Sequence, residues 1–145
     1  SVDVLGHGEL YSEIKDQIKK NNVNVKFLKT IPNNKMTELY NHYAVYVMCS
    51  NYEGNPKTLL EAMSCGCAVV GTDVSGIREI IQHEKTGLLV SQDSEMLRDA
   101  ILRLVSSDRL CESLGGAASR YILKHNSFNS GLEHEYETYK KLTDS

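Results

Sequence analysis

Between Ser50 and Cys67 the sequence reads SNYEGNPKTLLEAMSCGC, the stretch of the chain densest in groups able to do chemistry. Its order is a strand end, a loop and a helix. Pro56 at the first helical position after Asn55 as N-cap is a strong start signal, because proline has no N–H to lose there and its fixed φ suits a helix. The unpaired N–H groups of Lys57 and Thr58 are then expected to point out of the C-terminal edge of a sheet, where open α/β folds bind ligands. A phosphate or an array of sugar hydroxyls suits that position. Glu53 falls in the loop and Glu61 about one and a half turns into the helix, so both carboxylates can border one crevice while contacting different parts of a ligand. A plainer reading is equally open: Glu61 pairs with Lys57 at i, i+4 on a solvated face, and Glu53 is a loop charge.

Other candidates are weaker. Val4-Leu5-Gly6-His7-Gly8 ends a strand and begins a helix, which invites comparison with the dinucleotide fingerprint G-x-G-x-x-G. That pattern fails, because its third glycine position is Tyr11 and no acid stands about 20 positions on, where Asn24, Val25 and Lys26 lie. Gly6 and Gly8 read as a tight turn, with close backbone approach to a ligand as the alternative. Cys65-Gly66-Cys67 with His83 downstream has C-x-C spacing and no second cysteine pair, so buried thiols are expected and no metal. The histidines at 7, 42, 83, 125 and 134 fall on separate elements and propose no nucleophile–base pair. Only His7, beside the glycine turn, is placed to meet a ligand. Gly71 to Ile77 is another loop at a strand end, expected to open a short helix at Ile77.

These residues need a scaffold, and the hydrophobic pattern supplies one. Short apolar runs at Val2–Leu5, Val23–Leu28, Ala44–Met48, Ala68–Val70 and Leu88–Val90 alternate with amphipathic stretches, the βαβ signature of a parallel sheet. Leu10, Ile14 and Ile18 recur at helical spacing, as do Met36, Leu39 and Tyr40, and then Leu59, Leu60 and Met63. The runs at 44–48 and 68–70 have almost no polar interruption, as central strands covered on both faces should read. After Val90 only helices are expected. Leu97, Ala100, Ile101, Leu104 and Val105 mark the first, with Asp93 or Ser94 as N-cap. Leu110, Leu114, Ala118, Tyr121 and Ile122 mark the second, whose Gly115 and Gly116 are expected to weaken it by about 1 kcal/mol each. Phe128, Leu132, Tyr136 and Tyr139 mark the third. No repeat or long linker divides the chain, so residues 1–145 are read as one domain.

Composition narrows the function. With 145 residues, 41% hydrophobic and 24% charged, the chain can build one core. Sixteen Lys and Arg against nineteen Asp and Glu give a net charge of −3, so no basic excess proposes nucleic acid as a partner. No apolar stretch approaches the roughly 20 residues of a membrane-spanning helix, and residues 1–10 lack a secretory pattern. Four cysteines are too few for a disulfide scaffold, with Cys49 and Cys67 expected to act as small hydrophobes in a reducing, cytoplasmic setting. The start at Ser1, directly in a strand pattern, leads us to expect further residues upstream.

The stretch from Glu53 to Gly66, EGNPKTLLEAMSCG, resembles the E-x7-E region of family 4 retaining glycosyltransferases, which have the GT-B fold. Leu5-Gly6-His7-Gly8-Glu9 resembles that family's V-G-x-G-P turn, with Glu9 in place of proline. Phe27 to Tyr40 resembles its F-x-G-x-V-P … L-Y segment, Ala68 to Ile80 its P-V-V-A-T-x-x-G-G-x-x-E-I segment, and Thr86-Gly87-Leu88-Leu89-Val90 its T-G-L-L-V. The five ordered segments cover most of residues 1–90.

The resemblance implies a Rossmann-like, doubly wound parallel sheet, the C-terminal donor-binding half of GT-B, lacking its first strand and helix and its acceptor domain. It implies transfer of a hexose from a nucleotide-diphosphate sugar to a saccharide or lipid-linked acceptor in glycan assembly, with no metal or other cofactor. Glu53 corresponds to the glutamate contacting donor-sugar hydroxyls by the anomeric centre, and Glu61 to the one accepting hydrogen bonds from the ribose. Gly54, Asn55, Pro56, Lys57, Thr58 and Leu59 correspond to the loop and helix start at the sugar and diphosphate, Gly6 and His7 to the first turn, and Ile31 and Pro32 to the segment near the base. The family's diphosphate-binding Arg and Lys precede the point where this chain begins, so the 145 residues alone are expected to transfer no sugar. Phe128, Leu132, Tyr136 and Tyr139 are expected to offer a face for self-association. Two rival readings remain at this point, a non-catalytic nucleotide-sugar binding module and part of a nucleotide-sugar 2-epimerase.

Overall fold

The computed structural model describes residues 2–125, and the expected helix carrying Phe128, Leu132, Tyr136 and Tyr139 lies outside the described residues. The chain divides into two compact units, Ser1–Met36 and Thr37–Ser145.

In the first unit, β1 (Val2–Leu5) and β2 (Val25–Leu28) run parallel, in register from Val2 opposite Val25 to Leu5 opposite Leu28. A parallel pair needs a crossover, and α1 (Tyr11–Lys20) supplies it. Strand β2 starts two residues later than the apolar run at Val23. The reason is the closure of α1: Asn22 takes φ 51° and the Val23 N–H reaches back to the Ile18 carbonyl at 3.1 Å, so Val23 is spent on ending the helix. A 3₁₀ turn at Asn33–Lys35 follows, and α2 (Met36–Tyr40) spans the division between the units.

The second unit holds a parallel sheet in the order β3 (Val45–Met48), β4 (Ala68–Thr72), β5 (Leu88–Val90). Between β3 and β4 runs α3 (Lys57–Ser64), and between β4 and β5 runs α4 (Ser75–Arg78). The chain then enters α5 (Ser94–Val105) and α6 (Asp108–His125). All five residues of β4 are buried, as the apolar run Ala68–Val70 leads one to expect, and the run of burial continues through Gly71 and Thr72. Because strand side chains alternate, Ala68 and Val70 join one core cluster with Leu104, Cys111 and Leu114, while Val69 joins another with Leu59, Met63, Ile77 and Ala118. Helices therefore cover both faces of β4, the Rossmann-like arrangement expected of the class. Strand β3 differs from expectation: it pairs with β4 alone among the described residues, and its four residues are half-buried. The strands form two separate sheets, β1-β2 and β3-β4-β5.

Two helix details refine the sequence reading. Asp93 caps α5, its carboxylate accepting from the Glu95 and Met96 N–H groups at 2.9 Å each. Gly115 corrects the expectation of a weak point in α6, since a Cβ there would stand 2.1 Å from the Gly66 carbonyl oxygen. The missing side chain is what lets α6 pass against the turn between α3 and β4, where Gly66 takes φ 82°. None of the described helices is long and apolar enough to cross a membrane.

Candidate functional site

The chain leaves β3 at Met48 and enters α3 at Lys57, and the loop between them carries Glu53, Gly54 and Asn55. A segment of this length needs anchors, because its backbone groups have no ladder partners. Three are present. The Thr72 hydroxyl at the end of β4 donates to the Ser50 carbonyl at 2.6 Å, the Gln92 side-chain amide donates to the Asn51 carbonyl at 3.1 Å, and the Gly76 N–H donates to the Glu53 carbonyl at 3.1 Å. Gly76 is restricted to glycine by closeness alone: a Cβ would lie 2.4 Å from the Glu53 carbonyl oxygen and 2.7 Å from that of Gly54. Sequence reasoning missed Thr72, Gln92 and the close approach at Gly76. Only Gly76 left a signal, a glycine inside what proves to be a helical turn.

At the start of α3 the capping differs from expectation. Pro56 occupies the N-cap position, with no side-chain capping bond, and Asn55 lies one residue outside. The Lys57 N–H turns back to the Asn55 carbonyl at 2.9 Å, while the Pro56 carbonyl accepts from Leu59 and Leu60. Of the two N–H groups expected to face a ligand, Lys57 is thus internally satisfied and Thr58 has no acceptor among the described residues. Gly54, Asn55, Lys57 and Thr58 are exposed. Leu59 is corrected outright: at 0% exposure it belongs to the core, and its N–H is bonded to Pro56, so neither group meets a ligand.

Two tyrosines back the exposed face of α3. The Tyr40 hydroxyl donates to Glu61 Oε2 at 3.3 Å, and the Tyr46 hydroxyl donates to Thr58 Oγ1 at 2.9 Å. Their rings meet edge to face with centroids 5.9 Å apart. No ion pair joins Lys57 and Glu61 among the described residues; Glu61 is engaged by Tyr40 instead. Burial raises the Tyr46 pKa most, the hydrogen bond to Thr58 opposes this, and the charges of Glu61 and then Glu53 raise it again. Tyr40 is pushed up in the same direction by burial, by Tyr46 and by Glu61, so both hydroxyls keep their protons as donors at neutral pH.

One cysteine supports this wall from behind. Cys67 is buried, its thiol pushed up to about 11 chiefly by burial, and it donates to the Tyr40 and Tyr43 carbonyls at 3.4 and 3.3 Å. Cys49 is exposed, against expectation, because β3 ends at Met48 and the apolar run does not carry it inward.

In the first unit, Gly6 follows β1 with φ 137°, a conformation that L side chains rarely adopt. His7 stacks on Tyr11 with centroids 5.0 Å apart, and Tyr11 meets Phe27 edge-on at 4.8 Å, which fixes the imidazole over the start of α1. Half-buried Ile31 and exposed Pro32 follow β2. Each candidate thus lies beyond the C-terminal end of a parallel strand, where the first turns of such folds present backbone and side-chain groups to ligands. An open hollow of about 330 Å³ between β5 and α5, lined by His83, Leu89, Met96 and Arg103 among others, borders none of these residues. What the α3 face offers chemically is a carboxylate acceptor, a hydroxyl donor and a free N–H along one helix, a set suited to hydroxyls and an anion.

The description "Glycosyl transferases group 1" belongs to the family whose model matches residues 1–121. Alpha-maltose-1-phosphate synthase of Mycolicibacterium smegmatis is 32% identical over 120 residues, covering 78% of this chain and 31% of that protein. Sucrose-phosphate synthase from Thermosynechococcus elongatus superposes with a TM-score of 0.86 at 24% identity, covering 98% of this chain and 38% of the other. A variant of S. aureus TarM, in complex with fondaparinux, alpha-GlcNAc-glycerol and UDP, superposes with a TM-score of 0.84 at 27% identity, covering 93% of this chain and 28% of the other. The chain spans about a third of the length of these relatives. With parallel strands, helices on both faces of β4 and a family match running from residue 1 through most of α6, the chain belongs to the group 1 glycosyl transferases and has the Rossmann-like fold of their GT-B domains.

Proposed function

We propose that this chain is the donor-binding domain of a retaining hexosyltransferase, holding a nucleotide-diphosphate sugar for transfer to a saccharide or lipid-linked acceptor bound by another domain, in the cytoplasm. The observation that carries the reading is the exposed N-terminal turn of α3, where tyrosine hydroxyls hold Glu61 at 3.3 Å and Thr58 at 2.9 Å. Glu61 accepts hydrogen bonds from the ribose hydroxyls. Glu53, with its loop fixed by Gly76, faces the donor-sugar hydroxyls near the anomeric centre. Gly54, Asn55 and Thr58 meet the sugar and diphosphate, and the donor-facing residues of the first unit are Gly6, His7, Ile31 and Pro32, the last two serving the base. Developing charge on the leaving diphosphate is stabilised by the N-terminal dipole of α3 and the cationic Lys57, with no metal required. The UDP bound to the TarM relative makes uracil the first base to test.

The test is calorimetric titration of the chain with UDP, GDP, ADP and their common sugar conjugates, repeated on Glu61→Ala. One nucleotide is expected to bind saturably and to weaken about tenfold or more in the variant, the scale of a lost hydrogen bond to a charged group. Binding of none of them, or binding indifferent to Glu61, overturns the reading. Saturable binding with no transfer by the complete protein identifies a binding module instead.

A further inference from the structure

Neither Tyr40 nor Tyr46 belongs to the loop or the helix that carries the donor-site residues, yet each gives its hydroxyl to one of them. The acceptor in the Tyr40 contact is a carboxylate, which has no hydrogen to give, so the direction of that bond is fixed. It occupies Glu61 Oε2 and leaves Oε1 without a protein donor among the described residues. In the second contact both partners are hydroxyls, but a phenol is the stronger acid and hence the better donor. With the Tyr46 hydrogen spent on Thr58 Oγ1 at 2.9 Å, the Thr58 hydroxyl keeps its own hydrogen to give away. Thr58 is exposed, and its backbone N–H also lacks an acceptor among the described residues. Two donors therefore sit together on one residue at the helix start, where an anion is favoured.

The geometry points to Tyr40 and Tyr46 as positioning residues of this site: Tyr40 holds Glu61 by Oε2 so that Oε1 is presented to the ribose hydroxyls, and Tyr46 commits the Thr58 hydroxyl to donate to the diphosphate. The inference rests on the donor-site reading of Glu61 and Thr58 proposed above. Tyr40 is 4% exposed and its ring is braced edge-on by Tyr46, so the hydroxyl that meets Glu61 has little freedom to swing away. Tyr46 is half-buried, and its bond to Thr58 runs across from the strand to the first turn of α3. The two tyrosines thus divide the work by ligand moiety, one serving the sugar ring of the nucleoside and the other the phosphates.

That division gives each residue its own signature. The chain, Tyr40→Phe, Tyr46→Phe and Glu61→Ala are titrated with UDP, GDP and ADP, each in its ribose and its 2′,3′-dideoxy form, and with the free nucleosides. Tyr40→Phe is expected to weaken the ribose form about fivefold and leave the dideoxy form within about twofold, since only the first uses Glu61 Oε1. Tyr46→Phe is expected to weaken both diphosphate forms alike and leave the free nucleoside unchanged. Equal losses on ribose and dideoxy forms in Tyr40→Phe indicate a merely structural role and overturn the inference, as does no loss at all. If the unaltered chain does not prefer ribose over dideoxy nucleotides, or if Glu61→Ala keeps that preference, the reading of Glu61 itself fails. If the unaltered chain shows the preference and Glu61→Ala loses it while Tyr40→Phe does not act selectively, the inference fails alone.

Discussion

Residues 2–36 and residues 37–125 are built from the same βα vocabulary and end with very different interiors. In the first unit, α1 buries no residue, and Val2, Leu5, Leu10, Ile14 and Val23 are exposed. In the second, β4 is buried along its whole length, and Leu59, Ala62 and Met63 of α3 have no exposed surface at all. Two strands and one helix offer one layer contact; three strands with helices on both faces of the middle one offer two. Below about three strands a sheet has little independent stability, however good its periodicity. The lesson for the site is that Thr58 and Glu61 stand on the outer side of a helix whose inner side is fully packed, which holds functional groups in place. His7, Ile31 and Pro32 stand on a unit with far less buried behind them.

Core truncation is the strongest way to break this contrast. Leu59→Ala is expected to cost about 3–5 kcal/mol, the usual range for a fully buried leucine that leaves a cavity. Ile14→Ala, at a position 41% exposed in α1, is expected to cost less than about 1 kcal/mol, because the methyl groups removed are partly in water already. Urea denaturation followed by circular dichroism measures both. Comparable losses at the two positions contradict the contrast.

The paired glycines of α6 sharpen it within the second unit. Gly115→Ala places a Cβ against the Gly66 backbone, which cannot step aside as a side chain could, and is expected to cost about 2 kcal/mol or more. At Gly116 a Cβ meets only the end of the Arg120 side chain at 3.3 Å, so Gly116→Ala is expected to gain about 0.5–1 kcal/mol of helix propensity. Opposite signs from adjacent residues, read from denaturation midpoints, distinguish close packing from propensity. Two gains of similar size show that α6 can back away from the turn.

Propensity alone treats those glycines alike, and the reason bears on how much of the molecule its sequence discloses. Periodicity is local, so the amphipathic pattern of α5, its Asp93 cap and the buried run of β4 are legible from neighbours a few residues apart. The loop and helix bearing Glu53 and Glu61 are legible in the same way. What holds them is not. Tyr40 is 21 residues from Glu61, Tyr46 is 12 from Thr58, and Gln92 is 41 from Asn51, contacts between elements that no local pattern brings together. The misplaced cap at Asn55 has a different origin: proline at the first helical turn suits two adjacent positions, and the turn closed by Lys57 onto Asn55 selects the later one.

The smallest effect asks whether the second unit owes anything to its surface charges. Arg103 of α5 donates to Glu84 at 2.6 Å, and both side chains are about half exposed, so the attraction is strongly screened. The hydrogen bond and charge of Arg103 hold the Glu84 carboxyl below its ordinary value. A depressed carboxylate pKa means the folded chain binds its proton less readily than the unfolded one. The contribution is therefore present above the ordinary carboxylate pKa and disappears as the pH falls through the lowered folded value. Arg103→Ala is expected to lower the urea midpoint slightly at neutral pH, to match the unaltered chain in acid, and to match it also at 1 M salt, where the Debye length is about 3 Å. A deficit that persists in acid and in high salt assigns the loss to the packing of the arginine stem on β5 and α5, and places even this surface position among the contacts that build the core.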